Sequence, residues 1–169
     1  GVDIENEAVE ICKLRLFLKL ASHAEPDATK PNHGIEPLPD IDFNIRAGNT
    51  LVGYLSVDDR DRLWDAAGLL IAERLDVSVM ASSCMQLLSD YRKEQLGVQE
   101  SRDTKREGVA EATHNLEAIC NTDLRNLYRD AAMIPASMTP KHFTEKYTPM
   151  HWLAAFPGVM DEGGFDVAV

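Results

Sequence analysis

The sequence predicts an α/β fold: a partial parallel sheet of about three strands, with a large antiparallel helical hairpin inserted before the last strand. Short apolar segments occur at 1–4, 42–47 and 165–169, and a helical pattern separates the first two. A long proline-free stretch with helical spacing, 57–133, lies between the second and the third. Short apolar strands joined by helices are typical of parallel sheets, so we expect these strands to lie side by side.

The first strand, 1–4, is followed by the first predicted helix. Asn6 is a suitable N-cap, and the acids Glu5 and Glu7 suit the positive end of a helix dipole. The helix is expected to run from residue 7 to about residue 22. Its apolar residues are Val9, Ile11, Cys12, Leu14, Leu16, Phe17, Leu18 and Leu20. They leave few polar positions, so we expect more than one face of this helix to be covered.

A loop and the second strand come next. Residues 23–40 contain four prolines together with Asn32 and Gly34, which excludes a regular helix or strand. Residues 42–47 alternate between polar and apolar side chains, which predicts a strand. The Gly48-Asn49-Thr50 segment has the composition of a turn and is expected to end that strand.

Residues 57–133 predict two long helices packed antiparallel. The apolar residues near helical spacing are Leu63, Ala67, Leu70, Ile71, Leu75, Val79, Met80, Met85, Leu87, Leu88 and Tyr91, followed by Val109, Ala112, Leu116, Ile119, Leu124 and Leu127. The polar segment 97–108 has glycine at both ends and is predicted to be the tip of the hairpin. A stripe of this kind is more often structural packing than a binding groove.

The remaining residues return to the sheet. From 134 to 149 prolines loosen the chain, and a short amphipathic helix is predicted over 150–156, ended by Pro157-Gly158. A turn at 161–164 then leads into the strand 165–169. We therefore divide the chain into an α/β segment, 1–56, a helical insertion, 57–133, and a return to the α/β segment, 134–169.

The composition excludes several classes of protein. The 169 residues include 17 basic and 28 acidic side chains, and the net charge of −11 argues against a free-standing nucleic-acid binder. A hydrophobic content of 44% is enough for a packed core and excludes a wholly disordered chain. No apolar run approaches the roughly 20 residues of a membrane span, and no leader is visible, so a cytoplasmic location is expected. Cys12, Cys84 and Cys120 form no CxxC pair and are expected to be reduced thiols, two or three of them buried in helices.

Two polar residues at predicted strand ends are candidates for a binding site. Asp3 follows the first strand, where an acid can accept hydrogen bonds from a ribose hydroxyl pair in nucleotide-binding α/β sheets, with Ile4 packing on the base. Capping of the next helix explains Asp3 equally well. Asn49 follows the second strand and offers a donor and an acceptor for a base edge, but its residue type and neighbours favour a turn residue there over a binding role.

No complete catalytic or metal-binding motif is found in the sequence. The five histidines are scattered and show no HxxxH or HExxH spacing, and there is no nucleophile elbow or phosphate loop. His151 is expected to be a packed or capping residue rather than a ligand. The acids Glu73, Asp76 and Asp90 are expected on a solvated helix face.

Three parts of the chain, in this order, resemble one family: the S-adenosylmethionine-dependent adenine-N6 DNA methyltransferases, in particular the large fused restriction–modification enzymes and their phage-defence relatives. The family's second motif is similar to GVDIENEAVEICKLRL (1–16), and its third motif region to LPDIDFNIRAGNTLVG (38–53). The approach to its fourth motif is similar to MHWLAAFPGVM (150–160) and GGFDVAV (163–169). The helical stretch 57–133 matches no motif.

The resemblance implies a Rossmann-like sheet, S-adenosylmethionine as the cofactor and DNA as the partner of a longer enzyme. Asp3 would accept the ribose hydroxyls of the cofactor, Ile4 would contact its adenine, and Asn49 would accept a bond from the adenine's exocyclic amine. The family's catalytic Asn-Pro-Pro-Tyr loop would follow directly after Val169. No catalytic residue and no metal site are therefore expected within the chain, which alone should be inactive and should self-associate through its cut sheet edges.

Two other functions remain open at this stage. The stretch 57–133 is nearly half of the chain and fits a non-enzymatic helical module that docks a protein partner. Asp3 at a strand tip also fits another nucleotide-dependent α/β enzyme, such as half of a dehydrogenase.

Overall fold

A computed structural model describes residues 1–25, 28–29, 33, 41–68, 77–93 and 99–166. The chain folds into two compact units, Gly1–Gly48 and Asn49–Val169. Within these described ranges, a helix with the length and apolar content of a membrane span is not found.

The first unit contains a small parallel sheet. Its elements are β1 (Val2–Asp3), α1 (Asn6–Ala21), α2 (Ile41–Asn44) and β2 (Arg46–Ala47). The two strands pair in parallel, with Val2 opposite Arg46 and Asp3 opposite Ala47. The predicted parallel pairing of the first two strands is therefore confirmed, but the predicted strand over 42–47 is wrong in its first half. Ile45 donates its N–H to the carbonyl of Ile41 at 3.0 Å, so a helical turn precedes a strand of two residues.

Helix α1 agrees with its predicted bounds to within one residue at each end, but the predicted N-cap is wrong. Asn6 is the first helical residue, and Glu5 occupies the N-cap position without a side-chain cap. The Asp3 carboxylate instead accepts the N–H of Glu5 at 2.9 Å. The expected coverage of more than one face is also not met within the described residues, because Val9 alone in α1 is buried while Leu14 is 58% and Leu18 56% exposed.

The second unit is helical. Its elements are α3 (Val57–Ala66), α4 (Val77–Lys93), α5 (Gln99–Asp130), α6 (Pro140–Tyr147), α7 (Trp152–Ala155) and α8 (Pro157–Asp161). Helices α4 and α5 pack against each other, as the hairpin predicts. The prediction of a single long first helix is wrong, because α3 ends at Ala66 and α4 begins at Val77. The predicted tip, 97–108, is wrong from Gln99 onward, because that part already belongs to α5 and its Gly108 is accommodated inside the helix. Residues 97–98 of the tip and the stretch 69–76 lie outside the described residues.

Two short helices near the end of the chain differ from expectation. Helix α6 was not predicted; it begins at Pro140, and the Thr139 side chain caps it by accepting the N–H of His142 at 3.2 Å. The short helix predicted over 150–156 is present as α7 and ends at Ala155, before Pro157 as expected. Pro157 then begins α8, which was not predicted, since proline is well suited to the first position of a helix. The predicted turn at 161–164 includes Gly163 and Gly164, whose φ values of +105° and +97° suit glycine.

The predicted third strand is not present among the described residues. Phe165 and Asp166 are not in a strand, and residues 167–169 lie outside the described part of the chain. The described sheet has two strands, not three. Phe165 packs edge-on against Phe156, with ring centroids 5.5 Å apart, and against Trp152 at 5.7 Å.

The core of the second unit is centred on the contact between α4 and α5, and α3, α6 and α7 add buried side chains to it. Cys84 and Leu116 are fully buried there together with Cys120. All three cysteines are free thiols in helices, two buried and one exposed, as expected. Burial, with a smaller contribution from the charge of Asp123, raises the pKa of the Cys120 thiol to about 12, so this cysteine is an apolar core residue and not a nucleophile.

Candidate cofactor-binding site

Asp3, a candidate binding residue of the first unit, lies at the carboxyl end of β1. Its carbonyl accepts the N–H of Gly48 at 2.9 Å, and its side chain is exposed. Oδ1 accepts the N–H of Glu5 at 2.9 Å, which orients the carboxylate just ahead of α1. An ionised carboxylate has about four lone-pair positions, so this contact leaves acceptor capacity for a ligand. Ile4, the next residue, is 54% exposed.

Asn49 is the first residue of the second unit and occupies a turn. Its Oδ1 accepts the N–H of Leu51 at 3.0 Å, and its carbonyl accepts the N–H of Val52 at 3.1 Å. The turn that the sequence favoured at this position is therefore present. An amide oxygen has two lone pairs, so Oδ1 can accept a second hydrogen bond, and the side-chain NH₂ adds two donors.

The Asn49 turn, residues 49–54, lies beside the segment 148–152. Asn49 donates its N–H to the carbonyl of Thr148 at 2.7 Å, and it forms a parallel bridge with Pro149. The N–H of Met150 donates to Val52 at 2.7 Å, and the N–H of Trp152 donates to Tyr54 at 2.9 Å. These backbone bonds join the turn to the residues that lead into α7.

Gly53 allows this close approach. Its φ is +146°, and a Cβ built on it would lie 2.0 Å from the carbonyl oxygen of Met150. We expect Gly53→Ala to lower the free energy of unfolding by about 1–3 kcal/mol, because the two segments must separate to admit a methyl group. Urea unfolding measures the loss.

Gly108→Ala is the matched control for Gly53→Ala. Gly108 lies inside α5, and a Cβ there would meet no atom within 4 Å. Alanine should therefore leave stability unchanged or raise it by about 0.5–1 kcal/mol. Equal urea midpoints for Gly53→Ala and the unmodified chain would contradict the packing described here.

His151 joins the Asn49 turn to α5. The ring is 2% exposed; Nδ1 accepts the N–H of Tyr54 at 3.2 Å, and Nε2 lies 3.3 Å from Oδ1 of Asn121. Because one nitrogen accepts an N–H and the other faces an oxygen, the proton is assigned to Nε2. Burial lowers the pKa of His151 to about 4, against a smaller upward effect of Asp123. The prediction that His151 is a packed residue is confirmed.

Next to this histidine lies the Asp123 cluster, which comprises Asp123, Tyr54, Arg60 and Trp64. Asp123 is fully buried, and its Oδ2 accepts hydrogen bonds from the Tyr54 hydroxyl at 2.8 Å, Trp64 Nε1 at 2.9 Å and Arg60 Nε at 3.0 Å. A second Arg60 nitrogen reaches Oδ1 at 2.8 Å. Burial raises the pKa of Asp123, but the three donors outweigh it and hold that pKa below its ordinary value. Burial and the nearby carboxylate raise the pKa of Tyr54.

Sequence reasoning missed the Asp123 cluster, although one signal was present. Asp123 follows Leu116 by seven residues and Cys120 by three, so it lies on the apolar stripe of α5 where an acid is unexpected. Its three partners are 59 to 69 residues away in the sequence, and no local pattern identifies them. Within the described parts of the chain, no three residues of metal-binding type come together.

Comparison with known proteins gives the chain a family. The family model for the Eco57I restriction–modification methylase matches residues 1–169. A predicted type II restriction enzyme and methyltransferase of Methanocaldococcus jannaschii is 28% identical; the alignment covers 100% of this chain and 17% of that relative. No solved structure matches the chain. Because the family model spans every residue, the chain belongs to the Eco57I restriction–modification methylase family.

Proposed function

We propose that the chain is an internal segment of a longer enzyme that transfers a methyl group from S-adenosylmethionine to adenine N6 in DNA. Membership of a restriction–modification methylase family along the whole chain supports this function. The chain spans only 17% of the length of the relative to which it is 28% identical. The longer enzyme would act on DNA in the cytoplasm, as part of restriction–modification or phage defence. Within this segment we propose the division into 1–56, 57–133 and 134–169.

The observation that carries the cofactor proposal is the position of Asp3. An exposed carboxylate at the end of a parallel strand, oriented by the Glu5 N–H just before a helix, fits the hydroxyl pair of a ribose. The exposed Ile4 side chain beside it fits the face of an adenine ring. Asp3 would thus hold the cofactor ribose and Ile4 its base, while the cofactor supplies the methyl group.

Asn49 would read the edge of the cofactor adenine. The turn fixes the Asn49 side chain through the Leu51 N–H, and the second lone pair of Oδ1 fits the exocyclic amine. The residues that contact the target adenine would lie on the Asn-Pro-Pro-Tyr loop expected after Val169. The chain by itself is therefore proposed to be inactive.

We also propose that the isolated chain self-associates. Helix α1 exposes large apolar side chains, including Ile11 at 57%, Phe17 at 47% and Leu18 at 56%. Apolar surface of this kind drives association in water.

The test of the proposed function is Asp3→Asn in the longer enzyme. Asparagine can still accept the Glu5 N–H through its side-chain oxygen, so the start of α1 should be preserved. It lacks the negative charge that strengthens the hydrogen bonds to the two ribose hydroxyls, and we expect this loss to weaken cofactor binding by about 1.5–3 kcal/mol. We expect the Kd for S-adenosylmethionine, measured by calorimetry, to rise about tenfold to a hundredfold with no change in Tm.

Glu7→Gln is the control for Asp3→Asn. It removes the same charge from an exposed acid in the first turn of α1 and should leave the Kd within about twofold of the unmodified enzyme. Mass spectrometry of digested DNA should detect N6-methyladenine after incubation with the unmodified enzyme. Methylation of another base by the longer enzyme would refute the adenine-N6 activity. An unchanged Kd of the Asp3→Asn variant would refute the role of Asp3 in cofactor binding.

A further inference from the structure

We infer that His151 is a positioning residue that holds the Asn49 turn in place for cofactor binding. The inference rests on the proposed role of Asn49 and adds a residue that does not itself touch the cofactor. It is carried by the contacts of His151, Tyr54 and Asp123 within the second unit.

The first step concerns how the turn is held. Three backbone bonds join it to 148–152: Asn49 to Thr148, Met150 to Val52, and Trp152 to Tyr54. The N–H of Tyr54 instead donates to a side chain, Nδ1 of His151 at 3.2 Å. The turn is therefore fixed at its far end by a group whose chemistry can be changed without altering the backbone.

The second step concerns how the histidine is oriented. Nε2 faces Oδ1 of Asn121 on α5 at 3.3 Å, and the ring packs against the Tyr54 ring with centroids 5.2 Å apart. With the proton on Nε2, Nδ1 is an acceptor directed at the Tyr54 backbone. A single tautomer thus serves both contacts, and the ring joins α5 to the turn.

The third step concerns the other end of Tyr54. Its hydroxyl donates to Oδ2 of Asp123 at 2.8 Å, and Asp123 is itself held by Arg60 and Trp64 of α3. Tyr54 is therefore fixed at its backbone by His151 and at its hydroxyl by Asp123. Both attachments lead to α5: Asp123 holds the hydroxyl directly, and Asn121, two residues away, faces the histidine that holds the backbone.

The consequence for binding is geometric. Asn49 lies five residues before Tyr54, and both are hydrogen-bonded to the segment 148–152, Asn49 to Thr148 and Tyr54 to Trp152. A shift of Tyr54 is therefore passed to Asn49, whose side chain is held by the Leu51 N–H. A displacement of about 1 Å in a ligand-reading group can cost a large part of its contribution. His151 should therefore affect the affinity for S-adenosylmethionine although it is buried beneath the turn.

Two amide substitutions separate positioning from packing. In His151→Asn the side-chain oxygen can take the place of Nδ1 and accept the Tyr54 N–H. In His151→Gln the amide reaches the place of Nε2 and can bond Asn121, but it leaves the Tyr54 N–H without its acceptor. Both variants bury one amide in the same pocket, so a role in packing alone predicts similar behaviour for the two.

The experiment measures the Kd and KM for S-adenosylmethionine, together with Tm, in the longer enzyme. His151→Gln is expected to raise Kd and KM about threefold to tenfold, the loss of about one neutral hydrogen bond, while His151→Asn stays within about twofold of the unmodified enzyme. His142→Gln, on the exposed side of α6, is the control and should change none of the three quantities. Rescue by asparagine alone would support positioning.

The contradicting outcomes are distinct. Equal affinities for the asparagine and glutamine variants would overturn the positioning role. An unmodified enzyme that fails to bind S-adenosylmethionine would instead refute the proposed function. If both variants unfold, Tyr54→Phe provides the second test, since it removes only the hydroxyl bond to Asp123 and should also raise Kd about threefold or more. An unchanged Kd in that folded variant would count against the inference.

Discussion

Replacing Asp123 with alanine is expected to lower the free energy of unfolding by about 3–5 kcal/mol, the largest effect of any single substitution considered for this chain. The carboxylate is fully buried and accepts bonds from Arg60, Trp64 and Tyr54. Without it, the Arg60 guanidinium remains desolvated with its main partner removed, and two neutral donors lose their acceptor. Urea unfolding followed by circular dichroism measures the loss.

A double-mutant cycle shows whether the charge pair is responsible. Arg60→Ala alone leaves a buried carboxylate with only the Tyr54 and Trp64 donors, so it should also be strongly destabilising. The double variant removes both charges and should cost less than the sum of the two single changes, with a coupling of about 0.5–3 kcal/mol. Additive losses would show that Arg60 and Asp123 do not act as a pair.

Glu111→Ala is the control for Asp123→Ala. Glu111 lies on the same helix, α5, but its side chain is exposed, and its removal should change the free energy of unfolding by no more than about 0.5 kcal/mol. A comparable loss from Glu111→Ala would mean that the net charge of the helix, rather than the buried cluster, sets the stability.

Long helices with a repeated apolar pattern could be predicted from the sequence. Short elements and helix caps, which depend on a few specific hydrogen bonds, could not. Helix α1 was found to within a residue because apolar residues and strong helix formers recur along its whole length. The alternation over 42–47 covers too few residues to distinguish a strand from a helical turn, and the Ile45–Ile41 bond decides for the turn. Asn6 is a good cap by composition, but the Asp3 carboxylate takes the neighbouring N–H.

The candidate site residues also divide into those that local sequence identifies and those that only the tertiary structure identifies. Asp3, Ile4 and Asn49 were identified from strand ends and from resemblance, both of which are local in sequence. The contact between His151 and Tyr54 joins residues 97 positions apart, and no periodicity indicates it. Asp123 could have been suspected from its place on an apolar stripe, but its three donors could not. Buried polar partners are chosen by the tertiary fold, which a single sequence does not display.

Between neutral pH and about pH 4 the free energy of unfolding is expected to fall by about 3 kcal/mol because of His151. Burial lowers the pKa of His151 from 6.5 to about 4 in the folded chain, with Asp123 acting in the opposite direction. In this window the unfolded state binds a proton that the folded state does not, so stability falls as pH decreases from about 6.5 and levels off below about 4. Each unit of pKa difference corresponds to about 1.36 kcal/mol.

His151→Asn should abolish this part of the pH dependence, because asparagine keeps the acceptor for the Tyr54 N–H but does not titrate. The groups that face the ring are Tyr54, Asn121 and Asp123, and of these Asp123 has a pKa below its ordinary value. Asp123 stabilises the folded chain at every pH above the pKa of an unfolded aspartate. This stabilisation is lost only as the pH falls toward the lower pKa that Asp123 has in the folded chain, which is below the pH range in which His151 acts. Urea unfolding at several pH values compares the slopes of the two proteins, and the exposed His142→Asn variant should keep the slope of the unmodified chain. Equal slopes with and without the His151 imidazole would mean that this ring is not held neutral in the folded chain.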